Sequence, residues 1–143
     1  MPDIIHEFLI DAPASRVFEG FSKPAVLDQW WTRRSSGKAS EGSEWELWFG
    51  PKFDWRGKVS RSVPDRSFEW EITRADPDWL KTRVGADLEA RGKSTIVQFH
   101  HNGWPEANEH YRVSCYCWAM YLRILKRYLE RGETVSYEDR LNV

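Results

Sequence analysis

The side chains able to move a proton, hold a metal or act as a nucleophile are sparse in this chain. His100 and His101 are adjacent. Neighbours on a strand point to opposite faces, so one of the two must face inward. Alternation from Val97 and Phe99 gives that place to His101. A histidine on an apolar face can orient a ligand or move a proton. The plainer reading is a ring at the edge of the core, bonded to a carbonyl. His6 and His110 are the remaining histidines. No His-x-His or His-Glu-x-x-His spacing occurs, so no metal site is expected. Cys115 and Cys117 are the only cysteines. Two apart on a helix, they point about 200° from each other and can neither chelate one ion nor pair. Reduced core thiols in a cytoplasmic protein are expected. Alternation puts Glu44, Glu46, Asp54, Glu69, Glu71, Asp87 and Glu89 mostly on a wet face. That leaves no inward acid pair for general acid–base work. No nucleophile elbow or phosphate-binding glycine loop is present, and no cofactor is expected. The residues lean away from an enzyme; were there a reaction, His101 and Tyr121 would be its polar candidates.

Composition narrows the partners. The 143 residues fit one domain, and 21 basic against 22 acidic residues leave a net charge of -1. A nucleic-acid binder would need a basic excess. Arg33, Arg34 and Lys38 form the best local cluster, but they sit in a Ser/Gly-rich loop and read as solvated charge. No signal peptide and no apolar run of bilayer length is seen, so neither secretion nor membrane insertion is expected. Nine tryptophans are the unusual feature. Each buries a large area and wants a partner for its N–H, so they imply either a core of large rings or a cavity walled by them.

The elements that must position these rings follow from hydrophobic period. Ile4 to Ile10 reads as a strand, ended by Ala12-Pro13. Val17, Phe18 and Phe21 recur at helical spacing. Ser22 stands where it can cap a second short helix begun by Pro24, with Val26, Leu27, Trp30 and Trp31 as its apolar face. Residues 32–42 read as a loop. Then a period of two runs through 43–49, 53–63, 67–74, 82–90 and 93–101, with turn residues between. One face buried and one wet is the mark of an antiparallel meander. From about Glu106 to Arg131 the period becomes helical, with Trp118, Tyr121, Leu122, Leu125 and Leu129 in one stripe and Gly132 to end it.

These pieces predict an α+β domain over 1–132. A curved antiparallel sheet of about six strands wraps the long C-terminal helix, two short helices follow the first strand, and a polar tail covers 133–143. Ile10-Asp11-Ala12-Pro13 with Val17-Phe18, then Pro24, Leu27 and Trp30-Trp31, carry a resemblance. Gly57-Lys58-Val59, Val63-Pro64-Asp65-Arg66, Phe68-Glu69-Trp70, the strand 94–100 and Trp118, Leu122, Leu125 extend it over nearly the whole chain. In their order and spacing they resemble the START-like helix-grip (SRPBCC) superfamily. Within it the chain is most similar to the family related to the C-terminal domain of the activator of the heat-shock protein 90 ATPase. Lys23 stands where that family usually has an aspartate, and Thr32-Arg33-Arg34 where it often continues Gly-Pro.

A sheet bent around one helix leaves a space between them, and that space is the expected ligand site. Three functions are compatible. The first is a non-catalytic binding protein whose cavity takes an apolar or aromatic small molecule. Its expected lining is Trp30, Trp31, Trp55, Trp70, Ile72, Phe99, His101, Trp118, Tyr121, Leu122 and Leu125. Of Trp30 and Trp31 only one should face inward, because adjacent helical residues point about 100° apart. The second, which the resemblance implies, is a co-chaperone-like interaction domain, with Trp48 on the outer face as its sequence hint. The third, also implied by the resemblance, is a cyclase- or hydrolase-like enzyme. A protein partner or a homodimer is compatible with all three.

Overall fold

Alternation of large apolar with charged residues builds a single antiparallel sheet in the computed structural model, which describes residues 2–143. Its strands are β1 (Ile4–Ile10), β2 (Arg34–Ser36), β3 (Glu44–Trp48), β4 (Asp54–Val63), β5 (Ser67–Arg74), β6 (Arg83–Arg91) and β7 (Ser94–Asn102). Their spatial order is β1-β7-β6-β5-β4-β3-β2, so the meander from β2 to β7 is closed on its late side by the first strand. The seventh strand beyond the expected six is β2, three residues inside what reads as a loop. It is too short to show alternation, and it exists because Arg34–Ser36 pair with 46–48 of β3. The register of β4 on β5 shifts between Arg56 and Gly57 and again between Val59 and Arg61, as bulges that bend a sheet do.

Helices α1 (Ala14–Ser22) and α2 (Pro24–Leu27) follow β1, and α3 (Glu109–Arg131) crosses the concave face. The cap of α2 differs from expectation. Ser22 is the buried last residue of α1, and Lys23 holds the N-cap position of α2 with no side-chain bond. Helix α3 is capped at both ends: Asn108 accepts from the Tyr111 amide, and Gly132 closes it at φ 69, the left-handed conformation glycine adopts freely. Trp118, Leu122, Leu125 and Leu129 are buried as the stripe requires, and Ile124 joins them. The core beneath them takes Val17 and Phe21 of α1, Leu27 of α2 and Trp45, Leu47, Val59, Phe68, Trp70, Ile72, Val97 and Phe99 of the sheet.

After Gly132 the chain turns back onto the body. Residues Tyr137–Asn142 form a 3-10 turn whose Arg140 is buried. The Arg140 guanidinium donates to the carbonyls of Asp28, Trp31 and Thr32, at 2.6, 3.2 and 3.1 Å.

Two expectations about polar residues are corrected. Glu69 is on the outer face but is not wet: it is 3% exposed and bound to His100. The cysteines are not core thiols: both are free and half-buried.

Candidate functional site

Where the sheet, α3 and the returning tail meet, they enclose a cavity of about 300 Å³. Trp31 comes from the turn that follows α2, Phe49, Phe53 and Trp55 from the β3–β4 hairpin, and Asp76 and Trp79 from the β5–β6 loop. Helix α3 supplies His110, Val113, Ser114, Cys117, Trp118 and Tyr121, and the tail supplies Tyr137. The indoles of this wall interlock. Trp55 lies 4.7 Å from Trp79 by ring centroids, Trp31 lies 5.0 Å from Trp118, and Trp79 stacks on Trp118 at 5.8 Å. Offset and tilted contacts at these distances fix ring orientation as well as bury area. The mouth is apolar, with Phe53 46% and Val113 51% exposed.

Of the eleven residues expected to line a cavity, the structure brings Trp31, Trp55, Trp118 and Tyr121 together around this one. Trp30 turns away, its indole donating 2.8 Å to the Gly20 carbonyl. Trp70, Ile72, Phe99, Leu122 and Leu125 lie behind the wall in solid core. The reason is volume: so many rings fill most of the space that curvature leaves between sheet and helix, and the opening survives only at the end bounded by loop and tail.

His101 faces inward, as alternation requires, but it is fully buried and committed to protein partners. The Thr82 hydroxyl donates to the Trp79 carbonyl, so it must accept from His101 Nε2 at 2.8 Å. Nδ1 then accepts from the Trp118 indole at 3.1 Å. Each nitrogen of a neutral imidazole is used once. Burial, with smaller contributions from the charges of His100 and His110, pushes its pKa down to about 3. The ring locks Trp118 and the β6 side of the sheet together behind the pocket wall.

Besides Asp76 of the β5–β6 loop and Tyr137 of the tail, the polar side chains that reach the cavity lie along α3. His110, Ser114, Cys117 and Tyr121 are spaced at four, three and four residues, a single helical stripe beside the core stripe. Burial, with help from Tyr137 and Cys117, raises the Tyr121 hydroxyl to about 12, so it is a neutral donor. Burial likewise raises the Cys117 thiol. Sequence reasoning missed Trp79, His110, Ser114 and Tyr137. The helical spacing of His110, Ser114, Cys117 and Tyr121 was readable in principle. Trp79 follows Asp76-Pro77-Asp78, and Tyr137 lies in the tail, so neither belongs to a periodic segment. Among the described residues no cluster of His, Cys, Asp and Glu could hold a metal ion.

Comparison with known proteins agrees with this architecture. The profile of the "Activator of Hsp90 ATPase homolog 1-like protein" family matches residues 11–130. Among solved structures, the Aha1 dimer of Colwellia psychrerythraea is similar at 28% identity and a TM-score of 0.84, over 93% of this chain and 99% of that one. A protein from Staphylococcus saprophyticus is similar at 22% identity and 0.77, over 94% and 96% of the two chains. CalU16 of Micromonospora echinospora is similar at 21% identity and 0.74, over 96% and 83%. The last two share the fold. No curated protein matches the chain. No helix is long and apolar enough to cross a membrane.

Proposed function

The chain belongs to the activator of Hsp90 ATPase homolog 1-like family, and from that premise we propose that its aromatic pocket binds a small apolar or aromatic molecule. One observation carries this reading: a cavity of about 300 Å³ stays open among interlocked indoles, with exposed Phe53 and Val113 at its mouth and a few polar groups, most of them on one helix and the others Asp76 and Tyr137. Ligand sites are commonly built this way, with rings for affinity and sparse donors for orientation. The neutral Tyr121 hydroxyl would donate to an oxygen or nitrogen of the ligand.

The test is fluorescence titration with N-phenyl-1-naphthylamine, a neutral aromatic probe, beside native mass spectrometry of the purified protein for carried ligand. Saturable binding at one site per chain is expected. Cys117→Trp, which fills the cavity from α3, should abolish it without loss of folding. Probe binding that is absent, or equal in Cys117→Trp, would overturn the reading.

A partner surface is the second reading. Ile5 and Leu9 are 62% and 48% exposed on the convex face of β1, an edge strand. A related protein is described as a dimer, and a second copy of this chain is the occupant we would test by sedimentation of wild type and Ile5→Glu. Trp48 contributes little to such a surface, because Arg34 lies over its ring at 4.4 Å.

A further inference from the structure

One end of the pocket carries a titratable pair that simple binding does not need. His110 stands in the first turn of α3, and its Nδ1 is 3.1 Å from Oδ2 of Asp78 in the β5–β6 loop. That same oxygen accepts from Asn108 Nδ2 at 3.2 Å. Asn108 is itself fixed as the cap of α3, with Oδ1 accepting from the Tyr111 amide. An ionised carboxylate can only accept, so the neutral ring carries its proton on Nδ1 and keeps a lone pair on Nε2. Among the described residues Nε2 has no hydrogen-bond partner, and the ring lines the cavity. Its plane is held by Trp79, stacked at 6.5 Å, and by Trp104, edge-on at 5.4 Å. One turn along the helix, Ser114 is 7% exposed and also lines the cavity. Its hydroxyl makes no hydrogen bond among the described residues.

We propose that His110, oriented by Asp78, is a general base, and that the pocket hydrolyses esters of aromatic alcohols. The inference rests on the aromatic-ligand reading above, since the indoles must hold the aryl group. His110 and Ser114 occupy neighbouring positions on one helix face, with Cβ atoms about 5–6 Å apart, enough to straddle an ester and one water. The His110 Nε2 takes a proton from that water as the water oxygen bonds to the acyl carbon. The Ser114 hydroxyl donates to the carbonyl oxygen as it gains negative charge. When the acyl–oxygen bond breaks, Nε2 returns its proton to the departing phenolate. One water is consumed, a carboxylic acid and a phenol leave, and the imidazole is restored. Asp78 is a positioning residue, acting through the tautomer of His110.

Hydrolysis of 4-nitrophenyl acetate by the full chain tests this, run beside the N-phenyl-1-naphthylamine titration. Saturable hydrolysis, inhibited competitively by the probe, is expected. His110→Gln should lower kcat about 10²-fold or more while the probe still binds. Asp78→Asn should lower kcat about tenfold or more with KM unchanged, a split that loosened structure would not give. If the probe binds but hydrolysis is absent, or survives in His110→Gln, the general base is overturned and the binding reading stands. If the probe does not bind, the binding reading fails first. A protein acylated at Ser114, found by mass spectrometry, would overturn attack by water.

Discussion

Glu69 and His100 meet on the convex face of the sheet, Oε2 to Nε2 at 2.7 Å, although two strand positions separate them. Gly85 stands between them in β6, and its missing side chain is the reason they can touch. A Cβ there would run into the Phe68 carbonyl oxygen and lie 2.7 Å from the Glu69 Cα. Both contacts are backbone, so no side-chain rotation relieves them. Gly85→Ala should therefore cost about 3 kcal/mol, the upper range for overpacking, read as a shift of the urea midpoint.

The same pair sets an acid limb. Burial raises the Glu69 carboxyl, but the hydrogen bonds of His100 and Ser60 and the charges of His100 and Arg61 outweigh it and bring the pKa to about 2. A carboxyl held low in the folded state stabilises above its unfolded value of 4.5, and that stability is lost as pH falls toward 2. Glu69→Gln removes the anion that Arg61 and Arg83 face and weakens the bond to His100; because both arginines are about half exposed and screened by water, it should cost about 1–3 kcal/mol at neutral pH. The variant should also lose the steep fall below pH 4.5, which guanidinium titrations at several pH values would show. An unchanged acid limb would mean that the pair contributes no net stability.

His101 gives a separate window. Its folded pKa of about 3 lies below the ordinary 6.5, so the unfolded chain takes up a proton that the folded chain refuses. Stability should decline as pH falls from 6.5 toward 3, and between 6.5 and 4.5 the effect of Glu69 is absent. His101→Phe should flatten that upper window. It should also cost about 1–3 kcal/mol, because the Trp118 indole loses its acceptor in the core. A variant that keeps the slope between pH 6.5 and 4.5 would place the titration elsewhere.

Helix α3 is anchored through Leu125, which is fully buried. Leu125→Ala should cost about 2–5 kcal/mol. A Cβ added to Gly20 of α1 would sit 2.9 Å from the Leu125 Cδ1. Gly20→Ala gains helix propensity, about 1 kcal/mol, but must push Leu125 aside. In the Leu125→Ala background the clash is gone and the methyl partly fills the hole. The double variant should thus be more stable than Leu125→Ala alone, and the cycle non-additive. Strict additivity would show that the two helices relax independently.

Periodicity made most of this fold legible. The switch from a period of two to a helical one after residue 101 located the sheet and α3, and alternation put His101 on the concave face. It could not report depth: Glu69 points outward as expected, yet Gly85 and His100 bury it. It could not report partners either. His101 is satisfied by Thr82 and Trp118, and Asp78 meets His110, contacts between residues far apart in sequence. The cavity itself is assembled at its open end by Trp79 and Tyr137, from a loop and the tail, where no period exists to read.

The tail holds the pocket through Arg140, which is 5% exposed and has no carboxylate within ion-pair reach among the described residues. Its terminal nitrogens donate to the carbonyls of Asp28, Trp31 and Thr32, those left open where the α2 turn ends, and its Nε donates to the Val135 carbonyl of the tail itself. Trp31 contacts Trp79, Trp118 and Phe49 across the cavity, so fixing its backbone fixes the wall. Arg140→Ala should take away the donor to four carbonyls, at about 1–3 kcal/mol for each that water cannot reach, and lower the melting temperature accordingly. It should also weaken N-phenyl-1-naphthylamine more than Trp30→Phe does, because Trp30 faces away from the cavity. Trp31→Phe, by contrast, should reduce the tryptophan fluorescence change on probe binding while the fold persists, the remainder coming from Trp55, Trp79 and Trp118 of the same wall. Probe affinity equal to wild type in Arg140→Ala would show that the wall holds Trp31 without the tail.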